Sequence, residues 1–120
     1  MKRTRLPRSF GRTKPPSPDR LARELFLGFV KTHILYHASK EAVCGVGLAE
    51  ELANHGYRLS PGTLYPTLHA LAAAGYLRCL PELHEGRRRK SYRITKSGLW
   101  ALSEARKRLR ELVEEVLENE

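Results

Sequence analysis

The sequence predicts a mainly α-helical fold with a small β-ribbon, on three observations. Over most of the chain apolar residues recur at three- and four-residue steps, as in Leu64, Leu68 and Leu71, the period of helices with one buried face. Between Tyr76 and Thr95 the pattern becomes strand, turn and return strand, with His84-Glu85-Gly86 as the turn. Positive charge gathers in two blocks, at the amino terminus and on the return strand, instead of spreading evenly.

The chain has 120 residues, about one domain with one modest core. Lys and Arg number 22 against 13 Asp and Glu, a formal net charge of +9, and 41% of the residues are hydrophobic, too many for a wholly disordered chain. Residues 1–20 set seven cations against Asp19 alone. The stretch 87–96 holds Arg87, Arg88, Arg89, Lys90, Arg93 and Lys96 with no acid, and the remaining segments together are slightly acidic. Blocks of one sign repel themselves without a counter-charge, so they read as two contact surfaces for an anionic partner. No apolar run approaches the roughly 18 residues of a membrane span, and the charged amino terminus lacks the apolar stretch of a signal peptide. Cys44 and Cys79 are too few and too far apart for a disulfide framework or a zinc ribbon, which points to a reducing, cytoplasmic setting. Each is expected to be a small buried side chain.

Residues 1–16, basic and containing Pro7, Pro15 and Pro16, read as a flexible arm. Ser17 is the expected cap of the first helix, Pro18 fits its first position, and Asp19 suits the positive end of its dipole. From Leu25 to Tyr36 this helix is apolar on nearly every side, more than so small a domain can cover, so a second subunit is its expected cover. A break is expected over Ser39–Gly47, then a short helix with Leu48, Ala49 and Leu52 on one face, ended by His55-Gly56. Ser60-Pro61-Gly62-Thr63 starts a third helix that Gly75 stops. Its outward face is expected to carry Thr63, Pro66, Thr67, His69 and Ala70, and Pro66 deletes one backbone hydrogen bond near its start.

In the ribbon, Pro81 argues for an edge strand or a bulge. Lys90, Tyr92 and Ile94 alternate with Arg89, Ser91 and Arg93, so one face packs and the other presents cations. Thr95 caps a last helix from Lys96 to about Leu117, whose seam of Leu99, Leu102, Leu109, Leu112, Val113, Val116 and Leu117 suits another helix. Trp100 leaves that seam and is expected to pack against the ribbon or the first helix.

This order of elements is that of a winged helix-turn-helix, in which one helix enters the major groove and the ribbon lies along the phosphate backbone. The chain therefore divides into a flexible basic arm (1–16), a winged helix-turn-helix DNA-binding domain (17–95) and a C-terminal dimerisation helix (96–120). Ser60, Thr63, Tyr65, Thr67 and His69 are the candidate groove residues, with threonine hydroxyls and methyls suited to base edges. Arg87, Arg88, Arg89 and Lys90 are the candidate phosphate contacts. Leu25, Phe29, Leu102, Leu109, Leu112, Val113 and Val116 are the candidate dimer residues. A homodimer of this kind spaces its recognition helices about one DNA turn apart, roughly 34 Å, and asks for a palindromic operator in double-stranded DNA.

At these residues the sequence resembles the PadR family of bacterial transcriptional regulators. The matching run is Leu59-Ser60-Pro61-Gly62-Thr63-Leu64-Tyr65-Pro66-Thr67-Leu68, continuing to Leu71 and Gly75-Tyr76-Leu77. The ribbon segment from Gly86 to Thr95, closed by Gly98, matches as well, and the resemblance spans about residues 25–117. It implies a homodimeric repressor joined through its first and last helices, which releases DNA when a small-molecule effector binds near the interface. This chain departs from the family's usual pattern in having His69 and Ala70 where basic residues are common, and Gly45-Val46 where Gly-Tyr is common.

Two other classes were weighed. An enzyme would need a supported nucleophile set, a phosphate-cradling glycine loop or paired carboxylates, and none stands in the sequence, so no catalytic residue and no cofactor is expected. A nonspecific chromosome-coating or RNA-binding protein would use the same basic arm and ribbon, since any phosphate backbone attracts them. Within the regulator reading, His33 and His37 have the four-residue spacing of a metal-sensing repressor, but no neighbouring Cys or carboxylate completes a site, and His55, His69 and His84 stand isolated. No metal is therefore assigned.

Overall fold

Pro18 opens the first helix, α1 (Pro18–Lys40), with Asp19 in its first turn and His37 and Lys40 in its last, the charge order its dipole favours. The structure, a computed structural model, describes residues 18–119, so the cap expected at Ser17 and the arm 1–16 lie outside the described residues. The expected break over Ser39–Gly47 is shorter than its sequence suggests. Helix α1 continues through Ser39, and a two-residue strand, β1 (Val43–Cys44), leads directly into α2 (Gly45–Asn54). The Cys44 thiol caps α2 by accepting from the Gly47 amide at 3.5 Å. Gly56, at φ +88°, takes the left-handed conformation that ends α2.

Helix α3 (Pro61–Ala73) is followed by strands β2 (Leu77–His84) and β3 (Arg87–Ile94), helix α4 (Lys96–Leu112) and a π-helical turn over Val113–Leu117. The antiparallel sheet has the order β1-β3-β2. Pairing runs unbroken from Leu77 opposite Ile94 to His84 opposite Arg87, so Pro81 sits in an edge strand and no bulge is needed. Glu85 and Gly86, both at positive φ, make the two-residue turn whose twist matches the strands. The alternation expected along β3 fails at its inner end: Ser91 and Tyr92, adjacent in sequence, are only 2% and 1% exposed. The short β1 is part of the reason, because it makes β3 the central strand.

The core gathers Val30, Ile34 and Leu35 from α1, Leu48 and Leu52 from α2, and the Leu64, Leu68 and Leu71 stripe from α3 around Leu77 and Tyr92. Leu102 joins it at 2% exposure, which corrects its place among the dimer residues: this side chain is used within the subunit. Trp100 is the opposite correction. It is 66% exposed instead of packing on the ribbon or α1. The cysteines also differ from expectation, Cys44 being half-buried and Cys79 exposed, both free. Cys44 pairs with Ser91 and Cys79 with Tyr92, on the two outer strands and in adjacent register rows. Their side chains therefore leave opposite faces of the sheet, and they do not form a bridge.

One junction fixes the ribbon to both flanking helices. The Thr95 amide donates to the Tyr76 carbonyl at 3.1 Å, and its hydroxyl donates to the Gly75 carbonyl. The same hydroxyl oxygen accepts from the Gly98 amide at 3.0 Å and so caps α4 as the sequence implied. Gly98 lies so close that a Cβ there would stand 2.2 Å from the Tyr76 carbonyl oxygen. Backbone cannot yield as a side chain can. Gly98→Ala is expected to destabilise the fold by about 1–3 kcal/mol or more in urea unfolding, and an unchanged midpoint would show that the junction is looser than its geometry indicates.

Candidate nucleic-acid interface

Helix α3 begins as its sequence implies, with Pro61 in the first turn, but Ser60 makes no side-chain bond to the helix backbone. Its hydroxyl instead donates to the Thr63 hydroxyl at 3.3 Å. The Leu64, Leu68 and Leu71 stripe faces the core, which turns Gly62, Tyr65, Pro66, His69, Ala70 and Ala73 to solvent. Thr63 and Thr67 are half-buried on the shoulder of the helix, not on its outward face. The Thr67 hydroxyl donates to the Thr63 carbonyl at 2.7 Å, leaving its oxygen lone pairs and its methyl for other contacts. The exposed face of α3 is thus small, carries no Lys or Arg, and has His69 as its only titratable group besides the Tyr65 phenol.

The cations stand opposite. Arg87, Arg88, Arg89 and Lys90 are all exposed on the outer half of β3. Arg88, Arg89 and Lys90 line one cleft together with Tyr65 of α3 and Val46 at the start of α2, so the ribbon and α3 form two walls of the same depression. Arg89 is partly engaged already: its Nε donates to Glu82, its cross-strand partner, at 2.5 Å, and this bond holds the guanidinium pKa above its ordinary value. Tyr65 is also less free than expected. Its ring lies over Gly45, where a Cβ would come within 2.5 Å of the ring edge. Val46, 66% exposed beside the ribbon, is a lining residue that sequence reasoning did not single out; the only signal was its place after Gly45, where the family's aromatic residue is missing.

A helix with a small outward face beside a four-cation ribbon is a form that comparison can test. The model of the PadR-like family of transcriptional regulators matches residues 34–104, which include α2, α3, the ribbon and the start of α4. The chain belongs to that PadR-like family. Among its relatives, the Mycobacterium tuberculosis protein named Transcriptional regulator Rv3488 is 50% identical over 95 residues, covering 79% of this chain and 89% of that protein. A PadR family transcriptional regulator from Eggerthella lenta is 30% identical, with a TM-score of 0.71 over 82% of this chain and 87% of that one. A PadR-like transcriptional regulator from Bacillus cereus is 31% identical, with a TM-score of 0.68 over 80% and 94%. The protein is accordingly a winged-helix regulator of transcription. None of its described helices is long and apolar enough to cross a membrane.

Away from this PadR-like face, the structure corrects the reading of the histidines. His55, expected to be isolated, stacks on His33 with ring centroids 4.8 Å apart, and His37 lies 6.3 Å from His33. Burial, and then the neighbouring His55 and His37, hold the His33 pKa below its ordinary value. His69 and His84 remain outside this cluster.

The Glu82–Arg89 pair yields a direct test of the ribbon. Glu82→Gln releases the guanidinium, so affinity for random duplex DNA should rise and its salt dependence should steepen by up to about 0.9 in the log–log slope. A slope equal to that of the unmodified protein would place Arg89 away from the phosphates.

Proposed function

We propose that the protein is a homodimeric, sequence-reading repressor that sets α3 in the major groove and lays the ribbon of β2 and β3 on the phosphate backbone. The observation that carries this reading is the shared cleft of Tyr65 with Arg88, Arg89 and Lys90, which presents base-facing and phosphate-facing groups to one duplex. Ser60, Thr63, Tyr65, Thr67 and His69 are the proposed groove and groove-edge residues. Arg87, Arg88, Arg89 and Lys90 are the proposed backbone contacts, and their charge supplies most of the affinity. Base choice rests on few polar groups, with His69 outermost.

The dimer is proposed to form through α1 and α4. Leu25 and Phe29 on α1, Leu112 at the end of α4, and Val113 and Val116 in the turn that follows it remain exposed in the single chain, apolar groups that a second subunit would cover. Leu109, half-buried, continues that strip inward. The two subunits would address a palindromic operator, the cytoplasm is the proposed compartment, and an effector, where one acts, is proposed to bind between these helices.

Selection of bound duplexes from a random pool tests the reading. A palindromic consensus should emerge, and affinity for it should stay well above that for random duplex as salt rises, because the shared electrostatic contribution falls while base contacts persist. Enrichment of no sequence would favour a nonspecific nucleic-acid coat instead. Replacing Leu112 and Val116 together by Asp should give a monomer by light scattering and weaken consensus binding by at least about tenfold, equivalent to roughly 1.4 kcal/mol. A double variant that still dimerises and binds fully would move the interface elsewhere.

A further inference from the structure

Three histidines, two from α1 and one from the end of α2, converge beside α4. His33 and His37 stand one turn apart on α1, and His55 is the residue that closes α2. One ring nitrogen from each lies within 4.8 Å of the others. The Nε2 of His37 is buried with no hydrogen-bond partner, an uncommon condition for a buried polar atom. No carboxylate or thiol belongs to the group, so its possible ligands are imidazole nitrogens alone. The histidines border a pocket of about 310 Å³ between α1 and α4, lined also by Tyr36, Leu102, Leu109 and Arg106.

We propose that His33, His37 and His55 form a binding site for one divalent transition-metal ion per chain, with zinc the best fit and a fourth coordination position open to the pocket. Neither the family nor the DNA-reading role requires such a site, and its presence does not depend on that role. Imidazole nitrogens bind zinc at about 2.0–2.1 Å, which sets tetrahedral neighbours roughly 3.3 Å apart. Drawing these three nitrogens in to that spacing asks for side-chain rotation, chiefly of His55, which is exposed at the helix end. A set of three neutral imidazoles suits zinc, copper, nickel or cobalt, and not magnesium or calcium, which take oxygen ligands.

The surroundings favour the same ligand chemistry. Arg106 opposes a bare cation and favours an anionic fourth ligand, hydroxide or chloride, over a fourth protein donor. His33 and His37 alone offered only a spacing; the third ligand arrives through tertiary packing. An ion held there ties α1, the proposed dimer helix, to the end of α2 in the helix-turn-helix.

The test is a zinc titration of the full chain, stripped with a chelator and carrying Cys44→Ser and Cys79→Ser so that thiols do not contribute. Competition with a chromophoric zinc chelator should give one zinc per chain. His33→Ala and His55→Ala should each weaken binding by at least about 100-fold, more than the loss of an outer-shell partner causes, while His84→Ala, outside the cluster, should leave it unchanged. Circular dichroism confirms that each variant is folded. A cobalt spectrum of the protein with all three histidines gives an independent reading: strong visible bands of a tetrahedral ion, lost in His55→Ala. Equal zinc affinity with and without His33 or His55, a stoichiometry well below one, or cobalt bands no stronger than those of the free ion would overturn the proposal.

Discussion

The rest of the structure depends on the junction where Thr95 meets Gly75, Tyr76 and Gly98. The last residues after α3, the foot of the ribbon and the first turn of α4 share one set of hydrogen bonds there, with Gly98 pressed against the Tyr76 carbonyl. A helix and a hairpin joined only by a short connection would wander relative to each other. Here the hydroxyl of one threonine donates backward to α3's exit and accepts forward from α4's start, so the angle between α3, ribbon and α4 is set by backbone contacts. Side chains at the proposed DNA face can then be few, because the backbone already places them.

The economy of that face follows from the same frame. Helix α3 turns three leucines inward and offers mainly small or apolar groups outward, and the Tyr65 ring rests on Gly45. Positive charge is displaced to the outer half of β3, where the hairpin carries it away from the core and where one cation, Arg89, is already bonded to Glu82. In the proposed function, affinity and discrimination fall to different elements: a ribbon that meets any phosphate backbone, and a helix with few polar groups with which to tell bases apart. The proposed dimer through the apolar residues of α1 and the end of α4 is the remaining device, since doubling a reader on a palindrome multiplies a weak discrimination.

Much of this was legible in the sequence because it is written in local chemistry. Pro18 and Pro61 mark helix starts, Gly56 and Gly75 mark helix ends at positive φ, Thr95 caps, and the basic alternation of β3 announces a ribbon. What escaped was tertiary. Two residues are too short a run to show a strand's period, so the sequence of Val43–Cys44 looks like part of a break and hides the central position of β3 and the double burial of Ser91 and Tyr92. The orientation of α3 about its own axis turned Thr63 and Thr67 to its shoulder, a rotation that the leucine spacing alone does not fix to within one residue. Leu102 and Trp100 exchanged their expected roles for a related reason: a seam shows which residues are apolar, not which of two neighbouring surfaces each one meets. His55 lies eighteen positions after His37 in the chain, and only the packing of α2 on α1 brings them together.

The claim at the centre is geometric: two copies of one rigid frame read one duplex. Hydroxyl-radical footprinting on a selected operator measures that geometry directly. Two protected patches should appear, their centres about one helical turn or roughly 34 Å apart, on the same side of the duplex and symmetric about the palindrome. A single patch, or uniform protection that extends along the fragment as protein is added, would contradict a two-fold reader held by α1 and α4.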